Sequence, residues 1–340
     1  MKPKLIILLL IFFPVVVFGQ DTFRVVFYNV ENLFDTLDEP DKEDNEFTPE
    51  GLRRWTSYRY YQKLNNLAKV ISAIGEWEIP ALIGMCEIEN EKVINDLTRY
   101  SPLKKMQYRY VLTSSEDARG IDVALLYQRD RFKLLQQNNI HLSFPNNPQK
   151  KTRDILHVSG EIISGDTLDV FVCHFPSRRG GEFESEPDRT YAASVVRENV
   201  DRLIAVRENA NILIMGDFND EPSNKSIFQT LNAKKISSEI NKEDLYNLFL
   251  PTEKSSKIGS YKFRDQWNFL DQIIVSGNLL KTTNPFHVQA ETAAIFQAEF
   301  LFVEDTTHGG KRPKKTFHGY KYESGYSDHL PVFVDFKSKQ

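Results

Sequence analysis

The chain has 340 residues, 41% hydrophobic and 26% charged, with a formal net charge of −4 and two cysteines. That length suits one large domain or two small ones. The acidic balance argues against holding nucleic acid mainly by charge, and two cysteines exclude a disulfide scaffold.

The chain opens on a basic head with Lys2 and Lys4, then an apolar run from Leu5 to Phe18 and a Val17-Phe18-Gly19 cleavage pattern. This reads as a secretory signal peptide over residues 1–19, leaving a mature chain from Gln20. The run falls short of the roughly 18 residues that span a bilayer, so an uncleaved anchor is the weaker alternative. No cysteine lies near the cut, which closes the lipoprotein route. A secreted or periplasmic location follows, with no stable membrane insertion after cleavage and no obligate protein partner. Loss of Lys2 and Lys4 takes the charge from −4 to −6.

Phe23 to Tyr28 alternates and reads as a strand. Asp35 to Glu50 is a loop crowded with acids; it lacks the EF-hand glycine and spacing, so it reads as a solvated surface loop. Tyr61, Leu64, Leu67, Ala68, Ile71 and Ile74 predict an amphipathic helix over Tyr58 to Glu76. Ala81 to Cys86 reads as a strand, Lys92 to Tyr100 as a helix, and Tyr108 to Thr113 and Ile121 to Tyr127 as strands. Leu156 to Ile163 and Leu168 to Cys173 form a hairpin turned at Ser164-Gly165-Asp166. A long helix over Tyr191 to Glu208 leads into a strand at Ile212, and a short helix starts at Ser226. Phe269 to Ser276 and Leu330 to Phe336 close the set, with His308 to Lys321 the one long polar insertion, read as a solvated loop. Strands outnumber helices and no linker divides the chain, which predicts a single α+β layered domain over 20–340.

Six strands release polar groups at their ends. Ile212-Leu213-Ile214-Met215 ends in Gly216, then Asp217 and Asn219 two positions apart. Side chains at i and i+2 of an extended segment share a face, and an acid beside an amide suits a hard metal or a water held on a phosphate. An Asx-rich turn accounts for the same residues. Asn29 and Glu31 repeat the spacing after Val25-Val26-Phe27; Glu87 follows Met85-Cys86, and His174 follows Val170-Phe171-Val172. Asp271 opens a strand, and Ser327-Asp328-His329 precedes one. Together they supply what phosphodiester hydrolysis needs: carboxylates for a divalent cation, an imidazole, and donors for a phosphorane-like transition state. If Glu87 and His174 face a site, the thiols of Cys86 and Cys173 face the other way, as buried free thiols.

Tyr28-Asn29-Val30-Glu31-Asn32-Leu33-Phe34, Met85-Cys86-Glu87, His174-Phe175-Pro176, Gly216-Asp217-Phe218-Asn219, Leu270-Asp271-Gln272 and Ser327-Asp328-His329 resemble, in order, the motifs of the endonuclease/exonuclease/phosphatase superfamily. The resemblance runs from about residue 23 to 337. It implies a four-layered α/β sandwich, two mixed β-sheets face to face with helices outside, and metal-dependent phosphoester hydrolysis. Mg²⁺ is the implied cofactor, with Mn²⁺ or Ca²⁺ as alternatives. By resemblance, Glu87 is the principal metal ligand, with Asn29, Glu31 and Asp328 beside it. Asp217 positions or deprotonates the attacking water, and Asn219 binds phosphate. His329 contacts the scissile phosphate, oriented by Asp271, and His174 lies near the leaving group. Glu31 stands where several relatives carry aspartate. Ser177 replaces the asparagine of abasic-site enzymes. Arg119 to Tyr127 and Ser177-Arg178-Arg179-Gly180-Gly181 look like signatures of an exported bacterial subgroup.

Arg178 and Arg179 suit a non-scissile phosphate, and equally suit ion pairs with Glu182 or Glu184. The expected function is an exported phosphodiesterase acting on nucleic acid bound transiently. A phospholipid or sugar-phosphate phosphodiesterase is the alternative, though no exposed apolar hairpin is evident, and a non-catalytic binding module is the remote one. The sharpest expectation is a hydrogen bond of about 2.6 to 3.2 Å between Asp271 and a His329 ring nitrogen, with Asp328 turned to the metal instead.

Overall fold

The computed structural model describes residues 21–250 and 258–338; the expected signal segment at 1–19 and the expected start at Gln20 lie outside them. In chain order come β1 (Asp21–Leu33), α1 (Ser57–Gly75), β2 (Leu82–Ile88), α2 (Glu91–Tyr100), β3 (Arg109–Leu112) and β4 (Asp122–Tyr127). Then follow β5 (Phe132–Ile140), β6 (Ile155–Ile162), β7 (Thr167–His174), α3 (Glu182–Val206), β8 (Asn211–Asp217), β9 (Ala233–Lys234) and β10 (Leu245–Asn247). The remainder comprises β11 (Tyr261–Phe263), β12 (Gln266–Asn268), β13 (Asp271–Ser276), β14 (Phe286–Ile295), β15 (Phe302–Glu304), β16 (Lys311–Pro313), β17 (Phe317–His318), β18 (Lys321–Tyr322) and β19 (Val332–Ser338).

Two large mixed sheets result. One is ordered β14-β19-β1-β2-β4-β3, the other β5-β6-β7-β8-β13-β10-β9. β1 lies parallel to β2 and antiparallel to β19, while β7 lies parallel to β8 and antiparallel to β6. Their facing sides share one apolar core, in which Val25 and Phe27 of the first sheet join Val170, Leu213, Met215 and Ile273 of the second. Leu64, Leu67 and Ile71 of α1 cover the outside of the first sheet, and Ala192, Val196 and Val200 of α3 cover the second around Phe171 and Ile214. The four-layered α/β sandwich is therefore present. At Gly84 a Cβ would lie 2.8 Å from Met215 Sδ, so glycine is what lets the sheets approach there.

Several elements depart from the sequence reading. β5 is an edge strand with Gln136, Gln137, Asn138 and Asn139 exposed, so it shows no apolar alternation. α3 starts at Glu182 rather than Tyr191 and runs through Pro187, which lies inside the helix at its sixth residue and removes one backbone hydrogen bond there without ending it. The Asp35–Glu50 loop is exposed along much of its length but is anchored at a few points. Asp35, Asp44 and Phe47 are buried, and Lys42 Nζ donates to the Asp117 carbonyl at 2.9 Å. The His308–Lys321 insertion is likewise folded, contributing β16 and β17, and Arg312 pairs with Glu323.

Candidate active site

The i, i+2 motifs predict side chains projecting from straight strands; both strands instead bend. Asn29 Oδ1 accepts from Glu31 N at 3.0 Å, and Asp217 Oδ1 accepts from Asn219 N at 2.9 Å. Glu31 and Asn219 take left-handed backbone angles, φ 53° and 50°. Each motif is thus an Asx turn at a strand end, one from each sheet, and the two meet: Asn29 Nδ2 donates to Asp217 Oδ2 at 3.0 Å.

Register sets the rest of the row. Asp217 on β8 pairs with His174 on β7 and Asp271 on β13, so the three side chains share one face of the second sheet. Asp217 Oδ2 lies 3.8 Å from Nε2 of both His174 and His329. The expected Asp271 contact is present: Asp271 Oδ2 accepts from His329 Nδ1 at 2.7 Å, and no hydrogen bond joins Asp328 to His329. Burial alone would depress the His329 imidazole, but Asp271 and Asp217 outweigh it and hold it protonated well above the usual histidine range. Burial, with the Arg153 charge, keeps His174 neutral, and its Nδ1 has no hydrogen-bond partner. Burial pushes Asp217 up to about 7.

The second flank is made by carboxylates. Glu87 sits at φ 63°, with Oε2 accepting from Asn32 N at 2.8 Å and lying 3.4 Å from Arg119. Burial would raise its carboxyl, but Arg119 and the Asn32 amide hold it below the usual range. Glu31 Oε2 accepts from Thr316 N at 2.7 Å and faces the buried Lys63 ammonium at 3.6 Å, yet burial and the Asp328 charge still push it up to about 7. Burial is the first cause of both shifts, and a neighbouring carboxylate adds to each, Asp271 for Asp217 and Asp328 for Glu31. With oxygen donors on every side, the group fits a hard divalent ion.

These residues open on a cleft of about 880 Å³ lined by Glu87, Arg119, His174, Asp217, Asn219, Asp328 and His329, with Phe34, Phe47, Tyr261 and Phe263 along its walls. Asn29 lies beneath it, holding Asp217. Asn219 Nδ2 donates to the Phe175 carbonyl at 3.1 Å, leaving its second N–H. Arg178 reaches the cleft but is engaged, donating to the Asn219 carbonyl at 2.8 Å and pairing with Glu182 at 3.1 Å. Arg179 is exposed and does not line the cleft.

Two residues went unassigned by sequence. Arg119 falls in a motif with no stated role. Lys63 sits on the apolar stripe of α1, between Tyr60 and Leu67, and a lysine on that face was the available signal.

Cys173 faces α3, opposite His174, as alternation requires. Cys86 does not: it points between the sheets, in the same core as Met215. The left-handed Glu87 interrupts the strand period, so Cys86 and Glu87 are not on opposite faces of one regular strand. Both thiols are free and buried.

The family model described as the Endonuclease/Exonuclease/phosphatase family matches residues 24–338. No curated protein matches the chain. Among solved structures, an endonuclease/exonuclease/phosphatase family protein from Bacteroides thetaiotaomicron is 17% identical with a TM-score of 0.58, over 94% of this chain and 96% of that one. The human Nocturnin catalytic domain with bound sulfate anion is 17% identical (TM-score 0.54, 95% and 98% covered). D. rerio TDP2 complexed with single strand DNA product is 14% identical (TM-score 0.56, 93% and 99% covered). The chain belongs to the endonuclease/exonuclease/phosphatase family of metal-dependent phosphoester hydrolases.

Proposed function

We propose that the chain is an exported, Mg²⁺-dependent phosphodiesterase that hydrolyses nucleic acid. The observation that carries the chemistry is the chain of contacts from Asp271 through His329 to Asp217, set in one cleft with Glu87. Glu87 would hold the divalent ion, with Glu31, Asp328 and Asn29 around it. When bound, the ion polarises a phosphoryl oxygen and offsets developing charge. Asp217, raised to about 7, orients the attacking water and takes its proton at neutral pH. His329, its Nδ1 fixed by Asp271, turns a protonated Nε2 toward a non-bridging phosphate oxygen. The spare N–H of Asn219 adds a second donor, and neutral His174 stands by the leaving group. Arg178 shapes the Asn219 turn.

Nucleic acid as substrate is supported by the aromatic walls at Phe34, Phe47, Tyr261 and Phe263, which suit base stacking, and by the DNA product held by TDP2. The hairpin of β11 and β12 turns at Arg264 and Asp265, a charged tip unsuited to lipid insertion. No helix among the described residues is long and apolar enough to cross a membrane. Export is supported by the signal pattern of residues 1–19.

The test is a panel of plasmid, single-stranded DNA, RNA, sphingomyelin and sugar phosphates offered with Mg²⁺, Mn²⁺ or Ca²⁺. Turnover of nucleic acid abolished by chelator is expected; turnover of only sphingomyelin or sugar phosphate overturns the substrate reading. Mass spectrometry of the expressed protein should find Gln20 at the N-terminus, and an intact Met1 refutes the cleavage.

A further inference from the structure

Beneath the cleft floor, ligand atoms of Cys86, His174 and Asp217 all lie within 4.8 Å of one another, and all three residues are buried. The register explains the meeting. Cys86 is the β2 partner of Asn29 on the same sheet face, and Asn29 already reaches Asp217 across the inter-sheet gap. His174 is the β7 partner of Asp217 on the facing sheet. No step of the hydrolysis uses Cys86. His174 differs from His329 in lacking an orienting carboxylate: its Nδ1 is buried without a partner. A thiol, a neutral imidazole and one carboxylate are the donors that zinc takes, whereas Mg²⁺ selects oxygen.

We propose that Cys86, His174 and Asp217 form a second cation site, for a thiophilic divalent ion of the zinc class, overlapping the hydrolytic centre and closing it when filled. The ion enters from the cleft, which His174 and Asp217 line. Three protein ligands leave one position open toward that cleft for water. Binding replaces the thiol proton of Cys86, which leaves to solvent, by a sulfur–metal bond; no electron is transferred. The ion takes the carboxylate that otherwise orients the attacking water. Inhibition therefore rests on the role proposed for Asp217, whereas binding does not.

The experiment uses Co²⁺ as a spectroscopic probe and Zn²⁺ as competitor. Cys173→Ala leaves Cys86 as the single thiol, since the chain has two cysteines. In that variant Co²⁺ is expected to raise a near-ultraviolet thiolate-to-cobalt charge-transfer band that saturates at one equivalent and that Zn²⁺ bleaches. Absence of the band overturns the site, with or without any phosphodiesterase activity. The band should vanish in Cys86→Ala, and its persistence there equally overturns the assignment. In Mg²⁺-supported turnover, Cys86→Ala should need roughly tenfold or more Zn²⁺ for half inhibition, the scale of losing a metal partner. Unchanged zinc sensitivity overturns the inhibitory role. If Cys86→Ala does not fold, the Cys173→Ala titration decides alone.

Discussion

Lys63→Met removes a buried cation without removing its volume. The lysine is 1% exposed, and its ammonium donates to Thr316 Oγ1 at 2.7 Å and the Tyr326 carbonyl at 2.6 Å, besides facing Glu31 at 3.6 Å. Two hydrogen bonds from a charged donor contribute ~1.5–3 kcal/mol each, so ~3–6 kcal/mol is at stake. Methionine returns part of this by sparing the desolvation of an ammonium, but it leaves Glu31 buried beside Asp328 with less compensation. The net cost expected from breaking such a pair is ~3–5 kcal/mol. Urea unfolding in chelator measures it through the midpoint and slope. Adding Glu31→Gln removes the orphaned charge while leaving an oxygen for the Thr316 amide, so the double variant should recover ~1–3 kcal/mol. A single-variant cost under ~1 kcal/mol, or losses that add within ~0.5 kcal/mol, refutes the view that Lys63 is the counter-ion of Glu31.

Asp271→Asn should lower the His329 pKa, because the first of the two carboxylates that outweigh its burial is gone, and reduce kcat by ~10²–10⁴ with divalent affinity retained. An NMR titration showing His329 unmoved would contradict this. Glu87→Gln should weaken Mg²⁺ binding in calorimetry and remove most activity while circular dichroism stays native; unchanged affinity removes Glu87 from the site. In chelator, stability should fall as pH rises from about 4 to about 7. Asp217 and Glu31 are pushed up to about 7, so over that window the folded chain keeps protons that the unfolded chain has released, and folding becomes less favourable by up to ~1.4 kcal/mol per pH unit for each. Glu89, at about 8, extends the same slope upward, and His174, depressed by burial, opposes it only below the unfolded histidine range. Excess Mg²⁺ should flatten the profile, and a melting temperature that rises across the window contradicts it.

What was legible in the chain was whatever local pattern controls. The apolar runs before Asp217, His174 and Glu87 located strand ends, and strand ends are where a sandwich can hold polar groups without burying them throughout. Asp271 meeting His329 was readable because a strand-opening acid and a pre-strand histidine both fall at the same end of the sandwich. Positions controlled by backbone sign or by distant partners were not legible. Cys86 lies on the inner face with Gly84 by plain alternation, and the left-handed turn at Glu87 is what brings the next side chain into the cleft as well, which no alternation rule anticipates. Lys63 meets Thr316 across 253 residues, and only the folded insertion brings them together. β5 was hidden because an exposed edge strand needs no apolar side chains.

The pairing of β1 with β19 has a bearing on how the molecule comes to exist. β1 holds a central place in its sheet, yet one of its two neighbours is β19, the last of the described strands, with Thr22 opposite Lys337 and Arg24 clasping Asp335 across 311 residues. A growing chain can form hairpins such as β6 and β7 as they emerge, but the first sheet stays split until β19 has been made. Closing so long a loop makes this contact slow relative to local structure. The acids of β1 and the imidazole just before β19 thus come together last. Premature activity is barred by chain order alone. Deleting β19 should leave a chain with its secondary structure largely formed and its catalytic cleft never assembled.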